Sequence, residues 1–107
     1  MTEQFLDFDL AELLQSDEAI EAFLTDAFET GDAHHIANAL GAVARAKGMT
    51  KIAKATGLAR EQLYRSLSDT GNPTLETTLA VLNSIGFQLT SKPKAAYQDP
   101  SVAPSAP

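Results

Sequence analysis

Cysteine is absent from this chain of 107 residues, which excludes disulfides and thiolate chemistry. Histidine is scarce. His34 and His35 stand side by side and offer no zinc-site spacing, so neither a metal nor a cofactor is expected. Long apolar runs are also missing: none approaches the roughly 20 residues of a membrane helix. Met1-Thr2-Glu3-Gln4-Phe5 lacks the basic start of a secretory signal. These absences lead to the expectation of a cytoplasmic protein with no membrane partner. No serine or cysteine nucleophile motif lies near the histidines, so no catalytic residue and no enzyme activity is expected.

Lysine and arginine are missing from the first 34 positions, which hold ten acids: Glu3, Asp7, Asp9, Glu12, Asp17, Glu18, Glu21, Asp26, Glu29 and Asp32. Against DNA that third would be repelled, so it should face solvent or a basic protein. Positions 45–65 reverse the sign. Arg45, Lys47, Lys51, Lys54, Arg60 and Arg65 face a single acid, Glu61, which leaves a net +5 within a chain of net charge −6. That middle stretch can meet phosphate.

With 44% hydrophobic residues, the chain has material for one core. Residues 1–16 read as an extended acidic segment, with a short helical turn possible over 11–14. Asp17 is a fitting N-cap for a helix over 18–29, where Ile20, Phe23, Leu24, Ala27 and Phe28 recur at helical spacing before Gly31. Asp32 can cap a second helix running to about residue 46, and its small residues Ala37, Ala39, Gly41 and Ala42 suggest close packing. Three further helices follow over 50–55, 59–68 and 75–85. Thr56-Gly57-Leu58 and Asp69-Thr70-Gly71-Asn72-Pro73 separate them. Phe87-Gln88-Leu89-Thr90 alternates as a short strand would. Residues 92–107, rich in Pro, Ala and Ser, have little to bury and read as a disordered tail. The expected architecture is all-α, with five helices over 17–91 and a possible C-terminal strand.

The stretch from Met49 to Ser68 resembles the helix-turn-helix of the phage-repressor (XRE-type) class. Ala53, Gly57 and Leu63 are the matching marks. A small residue fits where helices cross, a glycine suits the left-handed turn, and a leucine anchors the second helix. Gly71-Asn72-Pro73-Thr74-Leu75 is also typical of that class. The resemblance implies that the second helix, from Arg60, reads the major groove. Arg60 and Arg65 could bind guanine, Gln62 suits adenine, and Glu61 can accept from a cytosine amino group or pair with Arg65 along the helix. Tyr64 could contact phosphate or pack on its helix. Thr50 is placed to cap the first helix and face a phosphate, and Lys51 and Lys54 to add sequence-independent affinity.

Taken from about residue 5 to 92, the chain is similar to the addiction-module antidote family, the HigA-like antitoxins. The marks are Phe8-Asp9-Leu10, Phe23-Leu24, the segment from Gly31-Asp32 to Gly48, the helix-turn-helix and Phe87-Gln88-Leu89. This resemblance implies an antitoxin that neutralises a RelE/ParE-like toxin by direct binding and represses its own operon on double-stranded DNA. Toxin contacts are sought first at Asp7, Phe8, Asp9, Glu18 and Glu21. A homodimer is expected on a two-fold operator, with the strand at 87–89 and the apolar side of Leu75, Leu79, Leu82 and Ile85 as candidate interfaces. The alternative is a stand-alone helix-turn-helix regulator, for which the acidic helix would be only a solvated layer.

Overall fold

The computed structural model describes residues 10–95 and 100–101. A helical turn over residues 10–13 comes first, closed by a Leu14 N–H to Leu10 carbonyl bond of 2.8 Å. Five helices follow: α1 (Asp17–Glu29), α2 (Ala33–Lys47), α3 (Met49–Thr56), α4 (Arg60–Ser66) and α5 (Leu75–Ser84). The five expected helices are thus all present. Leu14 is fully buried, so the core draws on the chain before residue 17. The extended reading of residues 1–9 lies outside the described residues.

Each helix starts and stops for a local reason. Ser16, not Asp17, caps α1: its backbone is extended and its Oγ accepts the Ala19 N–H at 3.1 Å. Asp17 instead becomes the first helical residue, where with Glu18 it places negative charge at the positive end of the helix. Asp32 caps α2 as expected, one carboxylate oxygen accepting the N–H groups of His34 at 2.9 Å and His35 at 3.1 Å. Those bonds hold the Asp32 carboxyl below the ordinary carboxylate range, the His35 amide contributing most and the His34 amide next.

A carboxyl held low in the folded state contributes stability that is fully present above its unfolded pKa and lost as pH falls through the folded value. The Asp32 contribution should therefore disappear on acidification below about pH 4. Asn caps equally well without titrating. The gap in melting temperature between wild type and Asp32→Asn is expected to shrink or reverse across that window. A constant gap from pH 6 to pH 3 would show that the charge of Asp32 is irrelevant.

The junction of α2 and α3 departs from expectation. Gly48 closes α2, its N–H bonded to the Ala44 and Arg45 carbonyls, and it also precedes the first residue of α3. Its φ of 105° lets one residue serve both ends. Because α3 begins at Met49, whose side chain is buried, Thr50 falls inside the first turn, exposed, and no side chain caps α3. The hydroxyl role foreseen for Thr50 is not the one it has.

Helix α2 sits at the centre, packed against α1, α3 and α4, while α3 also touches α4 and α5. Residues 39–44 of α2 are all buried, as a helix covered on every side requires. Around it gather Leu14, Ile20, Leu24, Ile52, Leu63, Leu67, Val81 and Leu82, each removal of such a side chain from water being worth about 1.5–3 kcal/mol.

Residues 87–90 form no strand. Gly86, with φ of 81°, turns the chain back over the end of α5, and the Phe87 N–H donates to the Leu82 carbonyl at 2.9 Å. Phe87 then packs half-buried against the core. Among the described residues no strand lies alongside to supply a ladder, so the segment serves as a helix-end clamp. The disorder expected for 96–99 and 102–107 falls outside the described residues. Lys92 nonetheless reaches Glu29 of α1 at 3.1 Å, an exposed ion pair of the kind that contributes at most about 1 kcal/mol.

Candidate nucleic-acid interface

Helices α3 and α4 are joined by a turn over residues 57–59. Thr56 organises it: its hydroxyl donates to the Ile52 carbonyl at 2.8 Å and accepts the Leu58 N–H at 3.2 Å. Gly57 follows in the left-handed region with φ of 76°, its N–H donating to the Ala53 carbonyl at 2.9 Å. Leu58 packs half-buried against the core, and Ala59, extended, leads into α4. The glycine at this turn is the conformational choice that the sequence pattern foreshadowed, since a β-carbon there costs about 1 kcal/mol or more.

Helix α4 is shorter than expected, ending at Ser66 with Leu67 as its C-cap. Leu63 and Leu67 are fully buried and hold it to the core. Every other predicted contact residue lies outside: Arg60, Glu61, Gln62, Tyr64 and Arg65 on α4, and Thr50, Lys51 and Lys54 on α3. These eight exposed positions carry four bases and one acid. Glu61 and Arg65 form no ion pair within the described residues. Arg60 instead folds over its neighbour four residues on, its guanidinium carbon 5.7 Å from the centre of the Tyr64 ring.

The C-terminal end of α4 is seated by two glycines. A β-carbon on Gly41 of α2 would stand 2.1 Å from the Leu67 carbonyl oxygen, and one on Gly71 would stand 2.1 Å from that of Ser66. Backbone thus touches backbone on both sides. Gly71 is held in turn by its N–H bond to the Ser68 carbonyl at 3.0 Å and by the imidazole of His34, whose Nδ1 donates to the Gly71 carbonyl at 3.2 Å. Sequence reading took Gly41 as one of several small residues and Gly71 as part of a turn, and it gave His34 no metal or catalytic role. The signal that could have singled them out was only their size and position. The Thr74 hydroxyl is committed to capping α5, accepting the Thr77 N–H at 3.0 Å and donating to the Thr77 hydroxyl at 3.1 Å, in keeping with a turn role for the Asn72–Thr74 segment.

Glu18 and Glu21 are exposed on α1, whereas Asp7, Phe8 and Asp9 lie outside the described residues. Among the described residues no group of His, Asp and Glu is arranged to hold a metal ion, and no helix is long and apolar enough to cross a membrane.

Comparison with known proteins adds what geometry cannot. The chain is 44% identical over 88 residues to an uncharacterized protein of Haemophilus influenzae, covering 82% of this chain and 91% of that one. No solved structure matches it significantly. The family described as "Probable addiction module antidote protein" matches residues 4–93, the whole of the helical body together with most of the acidic segment before it. With that span matched, the chain belongs to the family of probable addiction module antidote proteins.

Proposed function

We propose that this protein is the antitoxin of a type II toxin–antitoxin module: it neutralises a basic RelE/ParE-like toxin by direct binding and represses its own operon through a phage-repressor-like, HigA-type helix-turn-helix formed by α3 and α4. The observation that carries the DNA half is the division of α4, which commits Leu63 and Leu67 to the core and turns Arg60, Gln62, Tyr64 and Arg65 outward. A short helix so anchored presents side chains rather than backbone to a groove. The toxin half rests on the antidote family and on the acid-only run before residue 35. An acidic surface facing a basic toxin gains association rate and selectivity. In this reading the protein is a binding protein rather than an enzyme, and it acts in the cytoplasm. It pairs as a homodimer to meet a two-fold operator, with exposed Leu75 and Leu79 of α5 as the candidate surface.

The test is co-expression with the product of the gene adjacent to its own. Growth arrest by the neighbour alone, relief on co-expression and co-purification of the two chains are the expected results. A harmless neighbour that does not co-purify would leave a stand-alone regulator and remove the antitoxin reading.

A further inference from the structure

Tyr64 is placed where its role in α4 is not the one its chemistry first suggests. Its side chain is 42% exposed, so it is no core residue. Its hydroxyl makes no hydrogen bond within the described residues. What it does meet is Arg60, whose guanidinium lies over the ring 5.7 Å from its centre, one helical turn before it. That distance is within the range at which the ring quadrupole attracts a cation.

We propose that Tyr64 is a positioning residue that holds the Arg60 guanidinium in a base-reading orientation before DNA arrives. The inference rests on the DNA-binding reading above and extends it. The physical case turns on the shape of the two groups. The ring attracts the guanidinium through its charge, so the contact consumes none of its five N–H donors as hydrogen bonds. An arginine held in this way can therefore still offer a two-pronged donor edge to the two acceptors of guanine. An arginine without such a contact samples many rotamers on an exposed helix, and fixing it costs affinity at the moment of binding. The ring lowers that cost in advance. Gln62 and Arg65 have no such neighbour among the described aromatic contacts, so the effect is specific to the first reading position of the helix.

The experiment is equilibrium binding of the full chain to duplex DNA from upstream of its own gene and to a scrambled duplex. It compares wild type, Tyr64→Phe, Tyr64→Leu, Arg60→Ala and the Arg60→Ala/Tyr64→Leu pair, each confirmed as folded by thermal melting. Exposed cation–π contacts imply that Tyr64→Leu weakens upstream-DNA binding about two- to fivefold. Tyr64→Phe, which keeps the ring, restores wild-type binding, and Tyr64→Leu has no further effect once Arg60 is alanine. In the free protein, NMR resonances of the Arg60 side chain shift in Tyr64→Leu but hold in Tyr64→Phe, because the ring current is gone in the first only.

Four outcomes would overturn the role. Equal weakening by Tyr64→Phe would make the hydroxyl a direct DNA contact, and undiminished loss in the Arg60→Ala background would make the ring act without the arginine. Tighter binding by Tyr64→Leu would mean that the ring holds Arg60 away from DNA. Failure of the wild type to bind any duplex would remove the DNA reading itself and the role with it, and that failure is recognisable because the NMR signature of the Arg60–Tyr64 contact would persist.

Discussion

Replacing Arg60 and Arg65 together by alanine is expected to abolish selective binding to the DNA upstream of the gene while leaving the fold intact. Both side chains are exposed on α4, and the helix is held by Leu63 and Leu67 on its other side. Surface substitutions of that kind usually change stability by no more than about 0.5 kcal/mol. A bidentate arginine–guanine contact discriminates by about 1–3 kcal/mol, so two of them removed independently would cost about 2–6 kcal/mol per half-site, a loss of at least thirtyfold. A salt titration separates the two ways in which an arginine can contribute. If both arginines read bases, upstream-DNA affinity falls far more than affinity for a scrambled duplex. If both only neutralise phosphate, the two affinities fall together and the slope of log affinity against log salt flattens by about 0.9 per lost contact. Lys51→Ala should show the second behaviour, since its place on α3 suits phosphate contact. Undiminished affinity in a folded double variant would move the DNA surface away from α4.

The parts of this interface that sequence alone made legible are those set by local rules. With Leu63 read as the anchor of the second helix, the fixed period of a helix leaves Arg60, Glu61, Tyr64 and Arg65 to the outside. Gly57 could be read as a turn because few other residues take its backbone conformation without strain. Asp32 was a legible cap for a similar reason. Thr50 was not, because whether α3 starts at residue 49 or 50 depends on one glycine closing the preceding helix and on Met49 finding a place in the core. The strand reading at 87–90 failed on a non-local condition: alternation shows that a segment could pair, but only the fold decides whether a partner strand lies beside it. The Arg60–Tyr64 contact was within reach, as the two stand four apart on one helix, though spacing alone does not separate it from a Glu61–Arg65 pair. The grip on the far end of α4 was out of reach altogether, since Gly41, Gly71 and His34 come from three separate segments.

That grip carries the second large effect. Gly41→Ala is expected to destabilise the protein by about 2 kcal/mol or more, although alanine is by itself the better helix former. In the middle of α2 the exchange gains about 1 kcal/mol of intrinsic helix propensity. The added methyl, however, would stand 2.1 Å from the Leu67 carbonyl oxygen and 3.1 Å from its carbon, and both are backbone atoms that no rotamer change can remove. Either α2 or the end of α4 must move, and overpacking of a buried contact typically costs about 1–3 kcal/mol, more when rigid elements are forced apart. For a domain of this size each kcal/mol lowers the melting temperature by about 4–8 °C, so a fall of roughly 10 °C is expected. Gly57→Ala is the instructive comparison. Nothing lies within 4 Å of a β-carbon there, so only its φ of 76° is penalised and the loss should stay near 1 kcal/mol. The two variants should also part in function. The strain at Gly41 is relieved only by shifting α4 against α2, which displaces the exposed arginines relative to the rest of the proposed DNA-binding surface. Gly41→Ala protein, assayed well below its melting temperature, should therefore still bind DNA less tightly than wild type, beyond any unfolded fraction. A Gly41→Ala protein as stable as wild type would mean that α2 and α4 have room to spare, and the seating of α4 between two glycines would lose its mechanical role.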